Sequence, residues 1–448
     1  MKKLNRKQLI LYGCSGMGVN MLNIIVGSYL CSALLTGGFK EHIESWTYLN
    51  KDLVVPALWA ILVLGAKILD GVIDLPFAAF TNKLKTRWGR RRPSIVIGLI
   101  PMILAYVLFL VPLTNGASIA NTVWFGALLC TFYAFYTLTM LTFYATFSEV
   151  AETERDMVLL SNTKSVCDVI YYSLGFALVP VFVSMGINIR IVALIFLPLV
   201  LTMLIPLFLL KEKPTNVPNS EELANEKPLT LVTSLKYSFL NRNFIFWMIT
   251  SAIMNIGLQL FLGGINELFS SIELNMTVVM ASSFAPVPFT LILYNRLVKK
   301  YGIGFGYRYS LIIFSGGMLV MFVCHQTAHL CNDLALTLIA LLGGIFVSFA
   351  LGTFFSTAYT IPSTLAKIEY ETKGISVSPM YFAVDGLFGG ISAGLATGPI
   401  LVWLKQTDIA SLPLVVMITT ALAFGLSLAF PPVINKMGVA QKDNDQKK

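Results

Sequence analysis

The sequence predicts an all-α polytopic membrane protein, with twelve transmembrane helices in two pseudo-symmetric six-helix bundles. Three observations predict it. First, 56% of the 448 residues are hydrophobic and only 12% are charged, against about a quarter charged in soluble domains; mean hydropathy is +0.76. Second, apolar runs of about twenty residues, the length that crosses a bilayer as a helix, recur along nearly the whole chain. Third, a short signature repeats. Asn82-Lys83-Leu84-x-x-Arg87-Trp88-Gly89 after the second run matches Asn295-Arg296-Leu297-x-x-Lys300-Tyr301-Gly302 after the eighth. Equivalent loops at equivalent places imply two related halves.

The expected spans are 8–35, 53–81, 94–113, 121–149, 161–186, 189–211, 243–271, 276–297, 305–325, 333–361, 378–404 and 411–435. Most Lys and Arg fall in the N-terminus, the 82–93 loop, the 212–242 stretch, the 296–308 loop and the C-terminal tail. The intervening loops, such as T-N-G-A-S, are neutral or mixed, so the positive-inside rule puts both termini in the cytoplasm. M-K-K-L-N-R-K resembles a signal start, but the run after it is too long and has no small-residue cleavage site. It is read as a retained first helix. The polar, Pro-containing stretch K-E-K-P-T-N-V-P-N-S-E-E-L-A-N-E-K-P reads as a linker, and Thr233 to Asn243 as an amphipathic piece at the inner surface. The expected organisation is a first bundle at 1–211, a cytoplasmic linker at 212–242, a second bundle at 243–435 and a tail at 436–448.

The net charge of +9 sits in short loops, where it sets topology and meets anionic lipid headgroups rather than nucleic acid. The six cysteines, Cys14, Cys31, Cys130, Cys167, Cys324 and Cys331, show no metal-ligand clustering; most read as small hydrophobes. Cys324 and Cys331 are the pair that could meet near an outer loop. His42, His325 and His329 are scattered over loops, so no metal site is expected. No phosphate-cradling glycine loop and no nucleophile–base arrangement appears, which excludes direct ATP drive and argues against an enzyme. No cofactor is expected.

The chemistry concentrates between Ala66 and Pro93. Lys67, Asp70 and Asp74 interrupt an apolar run at i,i+3 and i,i+4 spacing, which places them on one helix face. Charges at that depth face a water-filled path or a partner and mark function. Two carboxylates on successive turns repel unless a proton or cation joins them, so the pair is built to sense a coupling ion. Arg87, Trp88, Gly89, Arg90, Arg91 and Arg92 follow in the basic loop.

D-x-x-x-D followed by R-W-G-R-R-R-P resembles the glycoside–pentoside–hexuronide:cation symporters, the melibiose-permease-like branch of the major facilitator superfamily. The similarity over 66–98 is nearly ungapped. F-Y-A-T-F-S-E-V-A-E-T-E-R on helix four resembles a second family segment. I-P-S-T-L-A-K-I-E-Y-E-T-K-G at 361–374 resembles the family's loop between helices ten and eleven. The resemblance thus spans both halves. It implies the major facilitator fold and alternating access of two bundles around a central sugar site, driven by Na⁺, Li⁺ or H⁺. It also implies that Asp70 and Asp74 are cation ligands or proton carriers, with Lys67 as the family's basic residue beside them. This chain departs from the family at several places. Tyr12-Gly13 leads to Asn20 where relatives carry an acid, so Asn20 joins the coupling candidates. Thr139 to Tyr144 contain no acid, and Ile73 stands where sodium users have an amide. The basic residue of helix eleven falls near Gly389, with Asp385 one turn earlier. Fewer oxygen ligands favour H⁺ over Na⁺.

The substrate-binding candidates are Asp385, the i,i+4 pair Lys164 and Asp168, Tyr144, Asn255 and Gln259. Lys164 stands where the family has a cavity-facing arginine. Amides suit sugar hydroxyls but equally stitch helices together, as does Asn23; Tyr171 and Tyr172 offer faces for a sugar ring. The cytoplasmic gate is assigned to Arg87–Arg92 with Glu149, Glu152 and Glu154 as acidic partners, since guanidinium binds carboxylate through two parallel hydrogen bonds. Glu267 is either an extracellular gate or simply solvated. The expected function is a secondary active sugar or glycoside:cation symporter of the cell membrane, with a small-molecule solute, a coupling cation and lipids as partners. Symport of a non-sugar or lipid-like solute is one alternative. A transporter-derived sensor or scaffold is another, which solute counterflow would distinguish.

Overall fold

The computed structural model describes residues 4–40, 42–84, 86–150, 154–210, 212, 241–272, 274, 276–373 and 378–438. Among these residues the chain is helical without strands. Twelve membrane-length segments follow in order. The first six are α1 (Arg6–Leu34), α2 (Pro56–Val72 continued by Asp74–Lys83), α3 (Arg91–Leu108), α4 (Ile119–Ala145), α5 (Glu154–Ser184) and α6 (Ile189–Leu209). The rest are α7 (Arg242–Ser270), α8 (Met276–Phe284 and Val287–Tyr301), α9 (Ile303–Gln326), α10 (Asp333–Lys373), α11 (Ser378–Leu395 running on to Leu401–Gln406) and α12 (Ile409–Leu428). α1 starts on a reciprocal cap: the Asn5 side chain accepts from Gln8 N at 2.9 Å and the Gln8 side chain from Asn5 N at 3.0 Å.

Ten of these helices are long and apolar enough to cross a membrane unbroken. α2 and α8 are the exceptions, and proline breaks both. Pro76 has no N–H for the Val72 carbonyl, and Pro286 and Pro288 act likewise in α8. The expectation that 361–374 is a loop is corrected: α10 runs on to Lys373. Pro362 lies inside it, and the following stretch is rich in the helix formers Lys, Glu and Leu. Cys324 and Cys331 are free thiols. The expected linker at 212–242, apart from Glu212, Asn241 and Arg242, lies outside the described residues, as does the tail from 439.

The chain packs as two compact units. The first comprises Met1–Leu231, Leu262–Thr277 and Ala393–Ile409; the second comprises Val232–Phe261, Val278–Ser392 and Ala410–Lys448. In the first unit α3 and α2 pack on α4, and α5 on α1; in the second, α10 and α12 pack on α9.

The repeated signature has a structural counterpart. Gly89 and Gly302, its last residues, sit at φ +88° and +90°, a left-handed conformation open to glycine without steric cost. Each turn is pressed by a residue from after the unit's last helix. The Glu212 carboxylate accepts from Arg91 N at 3.1 and 3.0 Å beside Gly89. Asn435 lies against Gly302, and its Oδ1 accepts from Arg308 Nη1 at 3.1 Å. Gly302→Ala is expected to cost at least about 1–2 kcal/mol from the left-handed conformation alone, and its methyl would meet the Asn435 carbonyl oxygen. A thermal ramp on detergent-purified protein reads this as a lowered apparent midpoint.

Candidate functional site

α2 delivers the three charges to α4. Asp70 lies in the last turn before the break at Ile73, and Asp74 opens the next helical piece. Lys67 Nζ stands 3.9 Å from the Tyr133 ring centroid, a cation–π contact. One turn along, Thr137 Oγ1 donates to Asp70 Oδ1 at 2.5 Å. The Lys67–Asp70 step on α2 thus matches the Tyr133–Thr137 step on α4. Lys67 forms no ion pair with either carboxylate among the described residues, and no described residue hydrogen-bonds the Asp74 side chain. α11 comes close here as well, since a methyl on Gly394 would lie 3.0 Å from Lys67 Cβ. The two acids therefore differ: Asp70 has a fixed donor and a cation one turn away, whereas Asp74 has neither.

Thr137→Val removes that donor while keeping the shape. A hydrogen bond to a charged group contributes about 1.5–3 kcal/mol, so the apparent unfolding midpoint of the variant in detergent is expected to fall below that of the wild type in a thermal ramp.

A second polar cluster joins α1, α4 and α5. Tyr136 Oη donates to Asn20 Oδ1 at 2.9 Å, and Asn20 Nδ2 donates to Tyr144 Oη at 3.4 Å. Lys164 Nζ lies 5.1 Å from the Tyr144 ring centroid and 2.5 Å from Asp168 Oδ2. Tyr171 and Tyr172 stack at 4.8 Å. Asn20, placed by sequence with the coupling residues, is thus held among Tyr136 and Tyr144, in company with Lys164 and Asp168. An amide, phenols and a charged pair give this cluster both hydrogen-bond donors and acceptors.

In the second unit Asn255 Nδ2 donates to Ser392 Oγ at 2.7 Å and to the Gly389 carbonyl at 3.1 Å, stitching α7 to α11. Gln259 Nε2 reaches Asn255 Oδ1 at 3.4 Å. Asp385 is half-buried and has no described partner, and the space beside Gly389, one turn on, is open.

In the basic loop Thr86 builds the turn: its Oγ1 donates to the Gly89 carbonyl at 2.6 Å and accepts from Trp88 N at 3.1 Å. Arg87 lies over the Trp88 ring at 4.8 Å, and Trp88 is exposed. Arg91 is buried and Arg90 and Arg92 half-buried. The side chain of Glu149 and residue Glu152 lie outside the described residues, as does the side chain of Glu154. The acid described at this loop is Glu212, which sequence reading did not select.

Reading the sequence also missed Tyr133, Tyr136 and Thr137. Their i,i+3,i+4 spacing on an apolar helix was the available signal. Glu267 is fully buried, not solvated, and its Oε1 pairs with Lys405 Nζ at 3.0 Å.

A family model described as MFS/sugar transport protein matches residues 11–437. No curated relative aligns significantly with the sequence. Among solved structures, the nucleoside transporter NupG aligns at 15% identity and TM-score 0.64, covering 95% of this chain and 98% of that one. A bacterial homolog of the human lysosomal transporter Spinster, inward-facing and unoccupied, aligns at 12% identity and TM-score 0.58, over 96% and 98%. A POT family transporter in complex with 5-aminolevulinic acid aligns at 12% and 0.60, over 96% of each chain. At such identities these likenesses concern the fold. The chain is an integral membrane secondary transporter of small-molecule solutes, not an enzyme, and it belongs to the MFS/sugar transport protein family.

Proposed function

We propose that this protein is a sugar or glycoside:H⁺ symporter of the cell membrane that works by alternating access, with both termini in the cytoplasm. The asymmetry of the two α2 carboxylates carries the reading. Asp70 is fixed by Thr137 and stands one turn from Lys67, which suits a permanent charge; Asp74, at the break, has no described donor and takes up the coupling proton. Protonation of Asp74 removes the repulsion between the two turns and licenses the conformational change of the loaded carrier. Sodium would need several more oxygens. Ile73 supplies none from its side chain, and the Asn20 amide is engaged by Tyr136 and Tyr144.

The cluster of Asn20, Tyr136, Tyr144, Lys164 and Asp168 is the proposed solute-contact wall within the first unit; Asp385, near the open space beside Gly389, is a separate solute-contact candidate within the second. Arg87–Arg92 with Glu212 brace the cytoplasmic end. A nucleoside is itself a pentose glycoside, so the likeness to a nucleoside transporter keeps nucleosides within this class. The test is uptake into proteoliposomes across labelled glycosides, pentosides, uronides and nucleosides, under imposed H⁺ or Na⁺ gradients. Accumulation driven by H⁺ supports the reading, and accumulation driven only by Na⁺ overturns the coupling ion. Binding without counterflow would mean a sensor.

A further inference from the structure

A buried ion pair lies apart from the α2 charges. The side chains of Glu267 on α7 and Lys405 on α11 are 0% and 2% exposed. Lys405 Nζ reaches four acceptors: Glu267 Oε1 at 3.0 Å, Ser32 O at 2.9 Å, Ser32 Oγ at 3.0 Å and Leu35 O at 3.1 Å. The Ser32 hydroxyl donates to Glu267 Oε1. The pair therefore ties α7 and α11 to the end of α1. The following loop covers it: Phe39 lies 4.9 Å from Lys405 Nζ, and Gly38, at φ +88°, lets the backbone pass so close that a methyl would sit 2.7 Å from Glu267 Cβ.

Three features distinguish this from a structural bridge. The first is where the packing units change hands. Leu262–Thr277 and Ala393–Ile409 follow the midpoint of the sequence repeat, yet they pack with the first unit. Those two segments are the ones that carry Glu267 and Lys405. Secondly, the arrangement is not saturated. Glu267 Oε2 and both polar atoms of the neighbouring Asn266 side chain are buried without a hydrogen-bond partner. Such groups regain water when the pair opens, which offsets its loss. Thirdly, a cavity of about 20 Å³ lies behind the pair, lined by Gly27, Cys31, Ser32, Tyr133, Thr397 and Lys405. That is room for about one water. α1 and α11 both become π-helical beside it, at Ile25–Leu30 and Ala396–Ile400, a local widening that recurs at functional sites. Tyr133, which lines this cavity, also carries Lys67 on its ring.

We infer that Glu267, Lys405 and Ser32 form the latch of the outer end, closed in this conformation and broken whenever the carrier opens outward. The inference rests on the alternating-access reading above. A two-sided device needs an element with two discrete states. A pair that costs little to replace as a unit but much to halve supplies one.

Native Cys31, a free thiol lining the cavity behind the latch, provides the readout. Intact cells expressing the full chain are treated with a charged, membrane-impermeant maleimide, and modification of Cys31 is followed by mass spectrometry. Cys31 is half-buried beside Ser32 and Lys405, so the closed latch slows the probe's approach to it. Labelling is expected to be at least fivefold faster in Glu267→Gln/Lys405→Met and severalfold faster in Ser32→Ala. The double variant removes both charges, so it keeps the test readable should a single substitution fail to fold. Equal labelling in wild type and double variant overturns the latch. Because no solute is needed, this result is independent of whether the solute is a sugar. A chain that moves no solute yet labels as expected has the latch without the proposed transport.

Discussion

Asp74→Asn is expected to abolish gradient-driven accumulation while leaving solute exchange in place. A 1:1 symporter gains 1.36 kcal/mol per pH unit of gradient, so two units sustain roughly 100-fold accumulation. Without a proton carrier the ratio falls to near unity. Exchange is expected to survive because the proposed solute wall on α1, α4 and α5 does not contain Asp74. Asp70→Asn should differ. It leaves Thr137 with an amide partner and removes the charge nearest Lys67 on α2, so it is expected to weaken solute affinity as well as coupling. Side-by-side accumulation and counterflow assays separate the two roles. Identical behaviour of both variants would remove the assignment of Asp74 as the proton carrier.

The second large effect concerns stability. Lys405→Met leaves the Glu267 carboxylate fully buried, facing only the Ser32 hydroxyl among its described partners. Removing one partner of a buried pair costs about 3–5 kcal/mol, whereas replacing both is often close to neutral. The apparent unfolding midpoint of Lys405→Met in detergent should therefore drop by several degrees, and Glu267→Gln/Lys405→Met should recover most of it. A single variant as stable as wild type would mean that Glu267 finds another partner or water.

The contrast between α2 and this pair shows what a sequence can carry. Lys67, Asp70 and Asp74 were legible because three charges inside an apolar run violate the economy of a membrane helix at a single place. The repeat was legible because the same loop residues are needed twice, and Gly89 and Gly302 confirm it with matching left-handed backbones. Thr137 and Tyr133 were not, because hydroxyls and phenols are commonplace on membrane helices and only the register of α2 against α4 selects these two. Glu267 and Lys405 are 138 residues apart, and nothing local marks them as partners. Pairing of that kind is created by tertiary packing. The end of α10 misled for a different reason. The resemblance placed a loop at 361–374, yet the Lys, Glu and Leu residues there favour helix, and α10 continues through them to Lys373.

The most direct measurement is solute-driven proton movement. Purified protein in sodium-free proteoliposomes, loaded with a pH-sensitive dye and given external solute, should acidify the lumen in the wild type. In Asp74→Asn it should leave the lumen unchanged while the solute still exchanges. Acidification that persists undiminished in Asp74→Asn, or solute uptake in the wild type with no proton movement at all, would contradict the coupling role placed at the break in α2.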